Sequence, residues 1–231
     1  RQTPRPVLPR RLRSLTDIVD PHVVAAAGDP PDVPDATHGL SHVTSTGISN
    51  EKLGMWVFLG SECLLFGGLI STFLLYKNRA GYGDLNETPH ELYDILFTSI
   101  SSFVLLMSSL TMVLAVSAIQ RGDHRALRTW LAATALMGGI FISGQVYEFK
   151  EFLNAGYGFT HSPAWSAFFG LTGFHGVHVT LGIIMLLSCI LLSLSGRIRQ
   201  DNAESVEIVG LYWHFVDVVW IIIFTVVYLI K

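Results

Sequence analysis

The sequence predicts an all-α integral membrane protein, a bundle of five transmembrane helices, and three observations carry that reading. Half of the 231 residues are hydrophobic and only 14% are charged, against about a quarter charged in soluble domains. The charges cluster, leaving five nearly uncharged windows of the roughly 18 residues or more that cross a hydrocarbon core. No alternation of lipid-facing strand length appears, so helices rather than a closed barrel must satisfy the backbone in lipid.

Residues 1–50 stand apart. Arg1 to Arg13 holds five arginines and three prolines, and Asp29 to Asp35 is rich in Pro and Asp. Such composition predicts a water-exposed cytoplasmic tail, largely extended or disordered. Residues 51–231 form the membrane domain, with predicted spans at 53–76, 94–119, 127–149, 165–195 and 208–230. At about 1.5 Å per residue each reaches across a core of about 30 Å, the fourth with tilt.

Orientation follows from Lys and Arg. With five spans, the N-terminal segment and the loops near 120–126 and 196–207 share one side. That side carries Arg1, Arg5, Arg10, Arg11, Arg13, Lys52, Arg121, Arg125, Arg128, Arg197 and Arg199. The other side carries Lys77, Arg79, Lys150 and Lys231. The asymmetry predicts a cytoplasmic N-terminus and a C-terminus outside.

Small residues recur inside the spans at Gly60, Gly67, Gly68, Gly138, Gly139, Thr172, Gly176 and Thr180, where helix backbones can approach closely. Trp213 and Trp220, seven apart, share a face and are expected to pack on a neighbouring helix. Cys63 and Cys189 fall in apolar runs without a CxxC or Cys/His ribbon spacing, so they read as small buried side chains rather than a redox or zinc motif.

Ionisable groups at membrane depth are the candidates for function, because hydrocarbon penalises them. Glu62 lies nine residues into the first span, about 14 Å at helical rise and close to the midplane. Asp217 falls at matching depth in the fifth span, with His214 one turn nearer the cytoplasm. His175 and His178 enter that depth from the opposite direction. The expectation is one layer of interhelical polar pairs. Imidazoles at His175 and His214 also admit a haem or metal reading. Low dielectric favours the uncharged form of a carboxyl. For Glu62 two roles stay open, a protonated group that braces helices and a part in proton movement. Glu148, at the outer end of the third span, reads as an interface or packing residue.

Three strings carry a family resemblance. Thr172 to Val179 reads TGFHGVHV, Tyr212 to Trp220 reads YWHFVDVVW, and Ser61-Glu62 is followed by Phe66; Gln145 and Tyr147-Glu148 add a weaker fourth. Over about 52–231 the chain resembles subunit III of the haem–copper terminal oxidases, in the five-helix bacterial form. Many members have seven helices, and this chain begins where their third would be.

The resemblance implies a non-catalytic core subunit of a respiratory oxidase, the cytochrome c type first, which reduces O2 to water coupled to proton pumping. It implies a multi-pass protein of the bacterial plasma membrane. No redox centre is expected in this chain, the haems and copper residing in partner subunits. The implied partners are the catalytic subunit I, subunit II, a small subunit IV as a further candidate, and membrane phospholipid, with no nucleic acid. Glu62 is implied as a membrane-buried carboxyl linked to proton uptake, and His175, His178, His214, Asp217 and Glu148 as a structural polar network. Two alternatives stand beside it: an accessory subunit of a nitric oxide reductase and a di-haem membrane electron carrier.

Overall fold

A computed structural model describes residues 49–77, 95–198 and 203–229. Its elements are helices: α1 (Asn50–Lys77), α2 (Ile95–Gln120), α3 (His124–Asn154), α4 (Pro163–Leu194) and α5 (Ala203–Phe224), which runs on into a π-helical turn at Thr225–Leu229. All five are long and apolar enough to cross a membrane. The tail expected at 1–50 lies almost wholly outside the described residues, as does the whole loop 78–94 between α1 and α2.

The helix ends follow from local chemistry. Asp123 caps α3, its Oδ1 accepting from the backbone N–H groups of Arg125 and Ala126 at 3.0 Å each. The bond from Ala126 N–H holds the Asp123 carboxyl below the usual carboxylate range. Ser162 caps α4, with Pro163 at the first helical position, where its missing N–H costs nothing. Gly122, at φ 75°, supplies the left-handed residue that turns α2 back along α3. The Asp123 cap explains why α3 starts earlier than the hydropathy of 127–149 suggests. Polar residues carry the helix past the hydrocarbon at both ends.

Helices α2, α3, α4 and α5 pack in a closed ring, each touching the next, with α5 also against α2. Helix α1 lies outside the ring against α4 and α5. Its buried residues Leu59, Phe66 and Phe73 recur every seven positions, the spacing of a helix laid along its partner at a shallow angle. In lipid there is little hydrophobic force between helices, so close packing and hydrogen bonds hold the ring. Trp213 and Trp220 do both. Their indole N–H groups donate to Ser108 and Ser102 of α2 at 3.0 and 2.8 Å. The expected packing on a neighbouring helix is what the structure places there.

The small residues divide into two sets. Gly138 of α3 and Gly182 of α4 face the Trp213 ring, and Gly176 lies under Gln145. Gly60, Gly67, Gly68 and Gly139 have no neighbour within 4 Å of an added Cβ, so among the described residues they bring no backbones together. Cys189 is buried as expected, whereas Cys63 is exposed on the outer face of α1.

Candidate functional site

The polar groups at membrane depth form two separate clusters and one isolated ring. This corrects the single layer expected from depth alone: equal depth does not set which way a side chain points around its helix. The first cluster joins α1 to α4. Nε2 of His178 lies 3.1 Å from Oε2 of Glu62, and Nδ1 lies 2.7 Å from the Phe174 carbonyl oxygen. A carbonyl can only accept, so Nδ1 carries the hydrogen. Nε2 and Glu62 then share a single proton. Either the carboxylic acid donates to a neutral imidazole, or an imidazolium donates to the carboxylate.

Three groups close around that pair. The Tyr212 hydroxyl donates to the His178 carbonyl at 3.0 Å. The Phe66 ring stands edge-on to His178 at 5.0 Å, and Phe58 stacks on Tyr212 at 6.4 Å. Glu62 therefore has a basic partner, on a different helix from its own.

The second cluster joins α5 to α2. Nδ1 of His214 is 2.6 Å from the Ser109 hydroxyl of α2. Asp217, one turn further along α5, is buried, and its Oδ1 has no partner among the described residues. His214 thus bonds Ser109 rather than Asp217.

His175 belongs to neither cluster. Its ring is wholly buried, stacked on Trp220 at 4.9 Å, and edge-on to Phe141 at 5.9 Å. Neither ring nitrogen has a partner among the described residues. Glu148 is placed at a third site, where it bonds Thr98 of α2 and faces the Tyr228 hydroxyl at 3.5 Å. These contacts tie α3 to α2 and to the end of α5, away from the histidines with which the resemblance groups Glu148.

The haem and metal readings can be weighed on these donors. Both nitrogens of His178 and Nδ1 of His214 are committed to protein groups. His175 is enclosed by aromatic rings. Among the described residues no three His, Cys, Asp or Glu side chains come together in a metal-binding group.

Sequence reasoning missed two further anchors of α1. At one end Lys52 pairs with Glu207 at 2.8 Å and Glu204 at 3.9 Å, and Gln120 donates to Glu207 at 3.1 Å. At the other end the buried Lys77 ammonium donates to the Val226 carbonyl at 2.9 Å, in the π-helical turn where α5 ends. A cation suits such carbonyls, which carry the negative end of the helix dipole. The signal was present in the sequence: Lys52 and Lys77 bracket the seven-residue repeat of Leu59, Phe66 and Phe73.

This arrangement defines a class: a multi-pass membrane subunit whose buried ionisable groups tie helix to helix. The chain belongs to the cytochrome c oxidase subunit III family, whose model matches residues 33–231. It is part of an oxidase complex of a bacterial membrane. The match begins inside the segment that the sequence alone sets apart as a tail.

Three relatives illustrate the likeness. The chain is 41% identical over 180 residues to a probable quinol oxidase subunit 3 of Staphylococcus saprophyticus, covering 78% of this chain and 88% of the relative. It is 40% identical over 200 residues to the quinol oxidase subunit 3 of Bacillus subtilis, covering 84% and 96%. It is 38% identical over 180 residues to the cytochrome c oxidase subunit 3 of Bacillus sp. strain PS3, covering 78% and 86%.

Proposed function

We propose that this chain is the non-catalytic core subunit that braces a haem–copper oxidase. It packs on the catalytic subunit, binds phospholipid along its exposed apolar helices, and supports proton uptake and endurance during turnover. The observation that carries this reading is the Glu62–His178 pair, a part-buried site for one proton between α1 and the ring. Haems and copper belong on the partner subunits under this reading, which the committed donors of His178 and His214 support. The Lys and Arg asymmetry supports a cytoplasmic N-terminus.

The electron donor is set on other subunits. The cytochrome c type is the reading carried here, and the names of the relatives include both donors. Oxidation of reduced cytochrome c by the purified complex supports that type, and oxidation of a quinol alone replaces it.

Glu62→Gln tests the role of the pair. A Gln amide donates to the bare Nε2 of His178, so α1 stays anchored while the shared proton site is lost. The complex is expected to assemble with its haems and to turn over, but to inactivate sooner during sustained turnover or to show a steeper pH dependence. Total loss of activity with assembly intact would make Glu62 catalytic and refute the assignment. Wild-type behaviour of both Glu62→Gln and Glu62→Ala would leave the pair without a role.

A further inference from the structure

Between α2 and α5, near the end of the bundle where α5 starts, lies a groove of about 450 Å³, well inside the range of ligand pockets. From α2 it takes Val113, Val116, Ser117 and Gln120, and from α5 Glu207, Gly210, Leu211 and His214. Both sets follow the i, i+3, i+4, i+7 pattern of one helix face, so the groove runs along the two helices for about 10 Å. At one end Gln120 and Lys52 both bond Glu207 and bridge the helices. The flank at the exposed Val113 faces lipid.

Two polar groups in the groove keep an unused bonding position. Nδ1 of His214 is held by Ser109 at 2.6 Å. Nε2 is therefore left for a further partner, and the half-buried ring lines the groove. The Ser117 hydroxyl accepts from Arg121 Nη1 at 2.7 Å, and its own hydrogen has no acceptor among the described residues. Val116 stands level with Gly210, its Cγ2 3.5 Å from where a Cβ there would be. Ser117 is thus about one turn, roughly 6 Å, from His214 along the groove.

We propose that this groove binds the head of a membrane-soluble quinone or quinol, with one ring oxygen bonded to His214 Nε2. The second oxygen, across the same six-membered ring, reaches toward Ser117. The imidazole suits either form of the head. With the Ser109 hydroxyl donating to Nδ1, Nε2 carries the hydrogen and donates to a quinone carbonyl. With Nδ1–H donating to Ser109, Nε2 accepts from a quinol hydroxyl. The step is binding alone, with no covalent bond made or broken. It requires only that α2 and α5 span a membrane, and it leaves electron entry on other subunits untouched.

Depth selects this class of ligand. His214 is eleven residues after Ala203, about 17 Å along α5. The span Ala203–Leu229 has 27 residues and is about 40 Å long against a core of about 30 Å. His214 therefore lies about 11 Å inside the hydrocarbon, where a polar nitrogen without a partner is costly. A phospholipid keeps its ester and head oxygens at the membrane surface and brings only hydrocarbon to that depth. A neutral ring on an apolar tail carries oxygens there. A single side chain from a neighbouring helix would leave much of the groove unfilled.

The test uses the whole oxidase complex in native membranes and a photoreactive azidobenzoquinone with an isoprenoid tail, its adducts mapped by peptide. Label is expected on the α2 and α5 peptides that hold Val113 and His214, and excess unlabelled benzoquinone with the same tail is expected to displace it. Val113→Trp, made at an exposed position of the groove wall, is expected to remove this label while the subunit stays in the complex at its wild-type ratio. His214→Leu is expected to weaken capture roughly two- to tenfold, the worth of one hydrogen bond, and it decides the matter should Val113→Trp be lost from the complex.

Undiminished label in the variants would overturn the proposal, as would displacement by excess phosphatidylglycerol to the same extent as by quinone. Absence of label from this chain, as when a helix of another subunit fills the groove, would overturn it equally.

Discussion

Replacing Gly138 with Ala would put a methyl carbon 2.6 Å from Cη2 and 3.1 Å from Cζ2 of Trp213, and 3.2 Å from Cγ1 of Ile183. The indole has little freedom to retreat. Its Nε1–H is bonded to Ser108 at 3.0 Å, and its Cε3 and Cζ3 atoms lie 2.8 and 2.9 Å from where a Cβ on Gly182 would stand. Trp213 is thus wedged between α3 and α4 while tied to α2. Overpacking of a tight core typically costs about 1–3 kcal/mol, and for a chain of this size each kcal/mol lowers the melting temperature by about 2–4 °C.

The next residue is the control. Gly139 has nothing within 4 Å of an added Cβ, so Gly139→Ala removes a backbone liability from a helix and is expected to be neutral or slightly stabilising. The assay is thermal unfolding of the two variants in the same detergent, followed by tryptophan fluorescence. Gly138→Ala should melt several degrees below Gly139→Ala. Equal melting temperatures would refute the wedge.

Three other perturbations follow from the same contacts. Asp217→Ala leaves Ser109 and His214 in a partly emptied buried site and is expected to cost about 1–3 kcal/mol, read as lower subunit retention after detergent exposure; full retention would count against the α2–α5 cluster. A hydrophobic carbodiimide, which attacks protonated acids from lipid, should label Glu62 ahead of the exposed carboxylates, and absence of label there would deny the acid form in the Glu62–His178 pair. Cysteines introduced at 121–123 should react from the cytoplasmic side and those at 155–161 from outside, and the reverse pattern would overturn the orientation.

Much of the architecture was legible in the sequence because lipid imposes a simple length rule. Five apolar windows became five helices, with errors confined to the ends. There polar caps such as Asp123 and Ser162 extend the helix beyond what hydropathy registers. The shared face of Trp213 and Trp220 could be read from a seven-residue interval. What depth could not give was rotation about each helix axis. His175 and His178 are one turn apart, yet one stacks on Trp220 while the other meets Glu62 on α1. Lys77 could be marked by its place at the end of the Leu59, Phe66 and Phe73 repeat, but not its partner, because that is a backbone carbonyl and backbone acceptors carry no sequence signature. Gln145 was quoted only within a motif, since a donor bond to Thr172 and an acceptor left open among the described residues are properties of a packed pair.

The most direct test of the central claim is to purify the chain through its own tag from native membranes in mild detergent and measure haem, copper and O2 consumption. The account predicts co-purification with a haem- and copper-bearing catalytic subunit in equal amount, O2 reduction by that complex, and no haem absorbance once this chain is separated from it. Recovery of the chain without oxidase partners, or a stoichiometric haem spectrum that stays with the separated chain, would contradict it.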